Sequence, residues 1–378
     1  MIEYLGFNSI NKLRKILEES SFNKIFLITG KDSFEKTIIK KVILEILKDH
    51  DFFQFNDFSP NPKINDIKRG LDLFKEQEFD VILSVGGGSV LDMGKCISIL
   101  STNNGSPEEY VLKQKRIKKK GVPLIRIPTT AGSGSEATHF AVVYIDKNKY
   151  SLGDSDYMQP EYVIVDPQFT ESLPKNLTAT SGLDAFTQAI ESYWNINSTS
   201  ESKNYSKKAI ALIMSNILTA FQNPSRDSRY NMAIAANLSG KAINITKTTA
   251  CHAISYPITS YFKVPHGHAV ALTLPSMIIF NSRVSNEDIK DPRGVDYVKK
   301  TMKELISLLG VSNFMEAKDK VRKLIDDVGL ETNLGKLGIK NQEDREIIIK
   351  NGFNPERVKN NPRLLTETQL RSILKDIK

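Results

Sequence analysis

The feature that most restricts this chain is a run of three glycines wedged between two segments of opposite period. Phe79-Asp-Val-Ile-Leu-Ser-Val85 is an apolar, strand-like run; Gly86-Gly87-Gly88-Ser89 follows; from Val90 through Asp92 to Lys95 the spacing is helical. Glycines at such a junction let a ligand approach the backbone closely. The N–H groups of the opening helix turn, with the helix dipole behind them, suit a pyrophosphate. The segment is neither a Walker A loop nor a GxGxxG fingerprint. A triple glycine by itself also makes a tight turn, but its place between strand and helix points to phosphate.

The same alternation recurs upstream. Residues 10–19 have helical spacing, Lys24–Thr29 reads as a buried strand ending at Gly30, and 34–48 is helical. A strand at 52–55, a Pro60-Asn61-Pro62 turn and a helix over 64–76 come next, and Leu124–Pro128 reads as one more strand. Strands alternating with helices imply parallel βαβ units. Phe140–Tyr144 and Tyr162–Asp166 are expected to form a further β-ribbon. From about Thr178 onward helical patterns dominate. The expected architecture is therefore an α/β, Rossmann-like domain over 1–175 and an all-α domain over 176–378. A cleft between them is the default ligand site.

The 378 residues, 40% hydrophobic and 25% charged, suffice for two such cores and exclude a disordered chain. Two cysteines, Cys96 and Cys251, exclude a disulfide framework and a cysteine-based zinc cluster, and point to a reducing compartment. The N-terminus lacks the pattern of a signal peptide. The apolar stretch 269–280 is too short to cross a bilayer and contains Pro275. A cytoplasmic protein without a membrane partner is expected. The net charge of +8 is spread over lysine-rich helices. The densest run, 113–120, reads as a solvated loop, with an anion-attracting patch as the alternative. No aromatic-interleaved basic patch marks a nucleic-acid partner.

Two further segments carry chemistry. Pro128-Thr129-Thr130-Ala-Gly-Ser133-Gly-Ser135-Glu-Ala-Thr138 follows a strand; such small polar loops line the crevice of a doubly wound sheet or cap a helix. Asp184 and Gln188 lie four apart on a predicted helix and so share a face. His252, His266 and His268 are three of only five histidines. One carboxylate, one amide oxygen and two imidazoles can form a divalent metal shell with an open position, the alternative being satisfied structural histidines.

Together GGGSVLDMGK at 86–95, IPTTAGSGSEAT at 127–138, the Asp184 helix and VPHGHA at 264–269 resemble the iron-containing (group III) alcohol dehydrogenase family over nearly the whole chain. The resemblance implies dehydroquinate synthase-like architecture, an NAD(P)H cofactor, a divalent metal and often a homodimer. It implies that Gly86, Gly87, Gly88 and Ser89 cradle the pyrophosphate and that Asp92 faces the nicotinamide. Thr129, Thr130 and Ser133 then line the cofactor, and Lys149 reaches the ribose. Asp184, His252 and His266 match the family's metal ligands. Gln188 stands where the family usually has histidine, which opens Zn2+ or partial occupancy as alternatives to Fe2+. Tyr256 stands where many members have a histidine; Tyr256 and His268 are then the candidate proton relay. Gly30 presents no carboxylate at the end of its strand and Lys31 follows, which favours NADPH over NADH despite Asp32 nearby.

Within the family, the segments 241–249, 187–194 and 265–268 are similar to phosphonoacetaldehyde reductases of phosphonate biosynthesis. Lys247 and Thr248, with Thr246 and Thr249, precede the first metal histidine; a lysine among hydroxyls suits a phosphonate dianion, while a solvated helix-end charge is the plain alternative. His268 is a second candidate donor to the phosphonate, or a support for His266. The expected reaction is reduction of phosphonoacetaldehyde to 2-hydroxyethylphosphonate. The alternatives are another alcohol or diol dehydrogenase of lactaldehyde, butanol or glycerol type, or dehydroquinate synthase-like chemistry.

Overall fold

The computed structural model describes residues 2–35 and 37–377. The chain forms two compact units, Met1–Leu173 and Pro174–Lys378.

The first unit is built on eight strands: β1 Ile2–Leu5, β2 Lys24–Thr29, β3 Asp51–Phe55, β4 Val81–Gly86, β5 Leu124–Pro128, β6 Phe140–Ile145, β7 Asn148–Gly153 and β8 Tyr162–Val165. Six form one sheet in the order β1-β8-β5-β4-β2-β3, with every pair parallel. Both faces are covered. Along β2, Phe26 and Ile28 join a cluster with Ile67, Phe74, Met93 and Ile97, while Ile25 and Leu27 join one with Leu13, Leu17, Ile43 and Leu47. This two-sided burial explains why β2 and β4 read as continuous apolar runs instead of alternating ones.

From β2 the chain winds first to β3 on one side and then back to β4 on the other. The sheet's switch point therefore lies between β2 and β4, where ligands settle beyond the carboxyl ends of the strands. Gly30 and the triple glycine occupy those two ends.

The expected ribbon of 140–144 with 162–166 is not formed. Phe140–Ile145 instead pairs antiparallel with Asn148–Gly153. Asp146, at φ 54, turns the chain tightly between them. Tyr162–Val165, apolar on both sides, enters the main sheet between β1 and β5. The lysine run 113–120 is a mostly exposed loop, pinned where Asn103 Nδ2 donates to the Lys119 carbonyl at 2.9 Å.

The second unit is helical. Its central helix, Lys175–Trp194, buries residues around its whole circumference, among them Leu183, Phe186, Ile190, Tyr193 and Trp194. Such a helix must find partners for any polar side chain it carries. Helices Ser200–Gln222 and Arg226–Thr246, each opened by a capping box, pack against it. Helices Ala250–Phe262 and His266–Ser282 follow. Among the described residues, no helix is long and apolar enough to cross a membrane.

Candidate active site

In the first unit the glycine loop and the 128–138 loop lie side by side at the ends of β4 and β5. Thr129 N donates to the Gly86 carbonyl at 3.0 Å. A Cβ on Gly88 would stand 2.7 Å from Ser133 Oγ, and one on Gly87 3.4 Å from Thr130 Cγ2. The helix Gly88–Thr102 lies hard on β4, where a Cβ on Gly94 would meet Ser84 Oγ at 1.9 Å. Gly86, Gly87, Gly88, Thr129, Thr130 and Ser133 are thus gathered in one place. Ser89 Oγ, expected on the pyrophosphate, accepts from Asn61 N at 3.0 Å and so anchors the neighbouring loop. Lys149 lies on β7 opposite Tyr144. Lys31 is exposed just beyond β2.

Asp92 does not present a free carboxylate to a ligand. Its Oδ1 accepts from Lys95 Nζ and Ser135 Oγ and its Oδ2 from Val142 N at 2.9 Å. Both oxygens are thus bonded inside this unit, to the residue's own helix and to the segment after β5.

In the second unit, Asp184, His252 and His266 each offer one ligand atom, and these atoms lie within 4.8 Å of one another. Asp184 comes from the central helix, His252 from the first turn of Ala250–Phe262, and His266 from the first residue of the next helix. Gly267 makes the arrangement possible: a Cβ there would sit 1.8 Å from the Thr180 carbonyl oxygen, so the two helices touch backbone to backbone. The two imidazole centroids are 5.6 Å apart.

Glu191 is the functional residue that sequence reasoning passed over. It is wholly buried, and its Oε2 meets His252 Nδ1 in a short hydrogen bond. Its Oε1 accepts from Thr249 Oγ1 and from Cys251 N, both at 2.7 Å, and so caps the helix that carries His252. With Nδ1 held, His252 turns Nε2 toward Asp184 Oδ1 at 3.4 Å. That nitrogen is buried and has no hydrogen-bond partner among the described residues. Ser255 Oγ donates to the His252 carbonyl at 2.7 Å and therefore accepts from His266 Nδ1 at 3.4 Å.

Charge completes the picture. Burial alone would lower the His252 pKa, but Glu191 and Asp184 outweigh it and raise it to about 9. Burial would likewise raise Glu191, yet the charge and hydrogen bond of His252, with help from Thr249, hold it below the usual carboxylate range. A buried imidazole nitrogen aimed at a carboxylate, with a second imidazole beside them, fits a divalent cation.

Gln188 lies one turn beyond Asp184, but its Oε1 accepts from Ser239 Oγ at 3.1 Å on the neighbouring helix. His268 does not join His266. Two residues apart on a helix, they project about 200° apart, and His268 Nε2 donates to the Glu331 carbonyl at 2.6 Å. That bond docks the buried His268 ring on the segment that carries Glu331. Tyr256 lies beside His266, with ring centroids 6.3 Å apart, and its hydroxyl accepts from Arg357 Nε at 3.2 Å.

Lys247 ends the Arg226–Thr246 helix at φ 63, ψ −173, backbone space that is nearly glycine-only and costs about 1–3 kcal/mol. Its carbonyl accepts from Asn195 Nδ2 at 3.2 Å, and that of the buried Thr248 from Asn360 Nδ2 at 3.0 Å. Trp194 Nε1 donates to Thr249 Oγ1 at 3.0 Å. The strap leading into His252 is therefore fixed at three points.

Known proteins share this fold. Residues 3–167 match the description "Iron-containing alcohol dehydrogenase" and residues 178–378 match "Fe-containing alcohol dehydrogenase family, C-terminal". The chain belongs to the iron-containing alcohol dehydrogenase family. It is 31% identical over 305 residues to a phosphonoacetaldehyde reductase of Streptomyces viridochromogenes, covering 78% of this chain and 75% of the other. It is 28% identical over 385 residues to long-chain-alcohol dehydrogenase 1 of Geobacillus thermodenitrificans, covering 98% and 94%. The crystal structure of sulfoacetaldehyde reductase from Bifidobacterium kashiwanohense in complex with NAD+ superposes with a TM-score of 0.88 at 25% identity, covering 100% and 96%. The protein is accordingly an alcohol dehydrogenase/aldehyde reductase that works with a nicotinamide cofactor and a metal.

Proposed function

We propose that the substrate is a small aldehyde bearing an anionic group, phosphonoacetaldehyde in the first instance, reduced to 2-hydroxyethylphosphonate. The observation that carries this reading is Lys247. The chain holds a lysine in glycine-like backbone five residues before a candidate metal ligand, on a strap fixed by Asn195, Asn360 and Trp194. A cation held so expensively beside Thr248 suits a phosphonate or sulfonate. Two of the relatives named above act on aldehydes of that kind.

The reaction adds a hydride to the carbonyl carbon and a proton to its oxygen, consuming one reduced nicotinamide. When bound, the metal at Asp184, His252 and His266 would polarise the carbonyl and the dinucleotide would supply the hydride. The chain's part is placement and proton supply. Glu191 holds Nδ1 of His252 and Ser255 holds Nδ1 of His266. Lys247 and Thr248 hold the anionic end. Tyr256, beside His266 and held by Arg357, would supply the proton to the product oxygen. The exposed Lys31 at the end of β2 favours the 2′-phosphate of NADPH, which the ratio of specificity constants for NADPH and NADH reads directly.

The substrate test compares phosphonoacetaldehyde with a neutral aldehyde of similar size. Lys247→Ala should lower kcat/KM for phosphonoacetaldehyde by about 10–100-fold, as loss of a charge-assisted hydrogen bond implies, and leave the neutral aldehyde within about 3-fold. Equal specificity constants for the two aldehydes in the parent enzyme would remove the anionic assignment. Reduction of the neutral aldehyde alone would favour an alcohol or diol dehydrogenase of the Geobacillus type.

A further inference from the structure

Among the described residues Lys95 is the most deeply buried lysine of the first unit, at 1% exposure, and nothing in the chemistry described so far requires it. Its ammonium meets four acceptors: Ser135 Oγ at 2.7 Å, the Phe140 carbonyl at 2.7 Å, Thr138 Oγ1 at 2.8 Å and Asp92 Oδ1 at 3.0 Å. Asp92 closes the circle through Ser135 Oγ and Val142 N. A second buried cation grips the same segment from β5: Arg126 Nη1 donates to the Thr138 carbonyl at 2.8 Å and to that of Glu136 at 3.2 Å. Lys95 and Asp92 sit on the helix opened by the triple glycine, whereas Ser135, Thr138, Phe140 and Val142 belong to the segment that follows β5.

Stability alone does not explain such a residue. Taking an ammonium out of water is costly, and burial lowers the Lys95 pKa to about 8 even with Asp92 opposing it. A packed apolar pair is often as stable as a buried ion pair or more so. What the ion pair adds is fixed geometry, since several directional bonds converge on one nitrogen. The two loops it joins are also the two that touch at Gly88 and Ser133, where no room for a methyl group remains.

We propose that Lys95 is the positioning residue of the dinucleotide cradle, its ammonium setting the spacing between the glycine loop and the 128–138 loop. The proposal rests on the reading that these loops bind the cofactor. A small slip of the 133–138 segment would move Ser133 against Gly88 and misplace the N–H groups meant for the pyrophosphate.

The test uses full-length enzyme titrated with NADPH and with NADH by nucleotide fluorescence, beside steady-state kinetics. Asp92→Asn/Lys95→Met removes both charges together, so neither is left stranded. Its dinucleotide Kd and KM should rise at least about 10-fold while kcat stays within about 3-fold, the split that loss of uniform binding produces. Ser135→Ala and Thr138→Val each take away one acceptor of the ammonium, with that hydroxyl's own donated bond, and leave the Lys95–Asp92 pair in place; each should raise the dinucleotide Kd about 3–10-fold, and they decide the matter if the double variant does not fold. A fall in melting temperature with Kd within 2-fold of the parent, in the folded double variant or in both single ones, would overturn the proposal and leave Lys95 a packing residue. Gly88→Ala separates the underlying reading: parental Kd in that variant would remove the loop as the cofactor site, and the proposal with it.

Discussion

Alanine at Gly267 should cost the enzyme its metal and nearly all its turnover, while the dinucleotide still binds. The added Cβ would lie 1.8 Å from the Thr180 carbonyl oxygen and 2.7 Å from the carbonyl carbon. Both belong to helix backbone, so no side chain can swing aside and the helices must part. Overpacking of this kind costs about 1–3 kcal/mol, which a two-unit chain can survive. The site cannot absorb it so easily. His266 adjoins Gly267, and Asp184 lies one turn along from Thr180, so parting the helices draws the two ligands apart. A displacement near 1 Å can cost about 100-fold in rate. Metal analysis after dialysis, with nucleotide fluorescence on the same sample, would check this. A variant that retains parental metal content would show that the helix contact does not hold the ligands together.

Glu191→Gln should have the next largest effect, and on metal affinity before anything else. The carboxylate does two jobs at once, accepting from His252 Nδ1 on one oxygen and from Thr249 Oγ1 and Cys251 N on the other. An amide has one acceptor oxygen. If that oxygen stays on His252, the NH2 group faces a helix N-terminus full of donors; if it stays on the helix, the NH2 group faces Nδ1. Either way one buried donor loses its partner, at about 1–3 kcal/mol. His252 also loses the negative charge that strengthens it as a ligand. Metal affinity should fall about 10–100-fold, the range seen when the carboxylate behind a ligating histidine is removed. Competition with a chromogenic chelator measures this without reference to activity. Equal affinities in parent and variant would reduce Glu191 to a helix cap.

Much of this was readable in advance because burial on both faces leaves a strong trace. β2, β4 and β5 are mostly apolar and buried almost from end to end, and the glycines between β4 and its helix mark the switch point. The errors have equally physical origins. β7, Asn-Lys-Tyr-Ser-Leu-Gly, buries only Leu152 and so carries little strand signal. β8 looks the same whether it enters a ribbon or a central sheet. His268 was grouped with His266 by proximity along the chain, although helical period sends it the other way. Glu191 did leave a signal, since Asp184, Gln188 and Glu191 stand at i, i+4 and i+7 on one face. Lys95 left none, because a lysine on a helix reads as a solvent-facing residue until its partners, some forty residues away, are seen around it.

The twisted backbone at Lys247 bears on how this enzyme can change over time. Glycine would rest there without strain, so drift toward sturdier variants pulls steadily in that direction, and the proposed need for a positive charge at that spot would resist it. Relatives freed from charged substrates would be expected to let the lysine go early, gaining robustness as they lose selectivity.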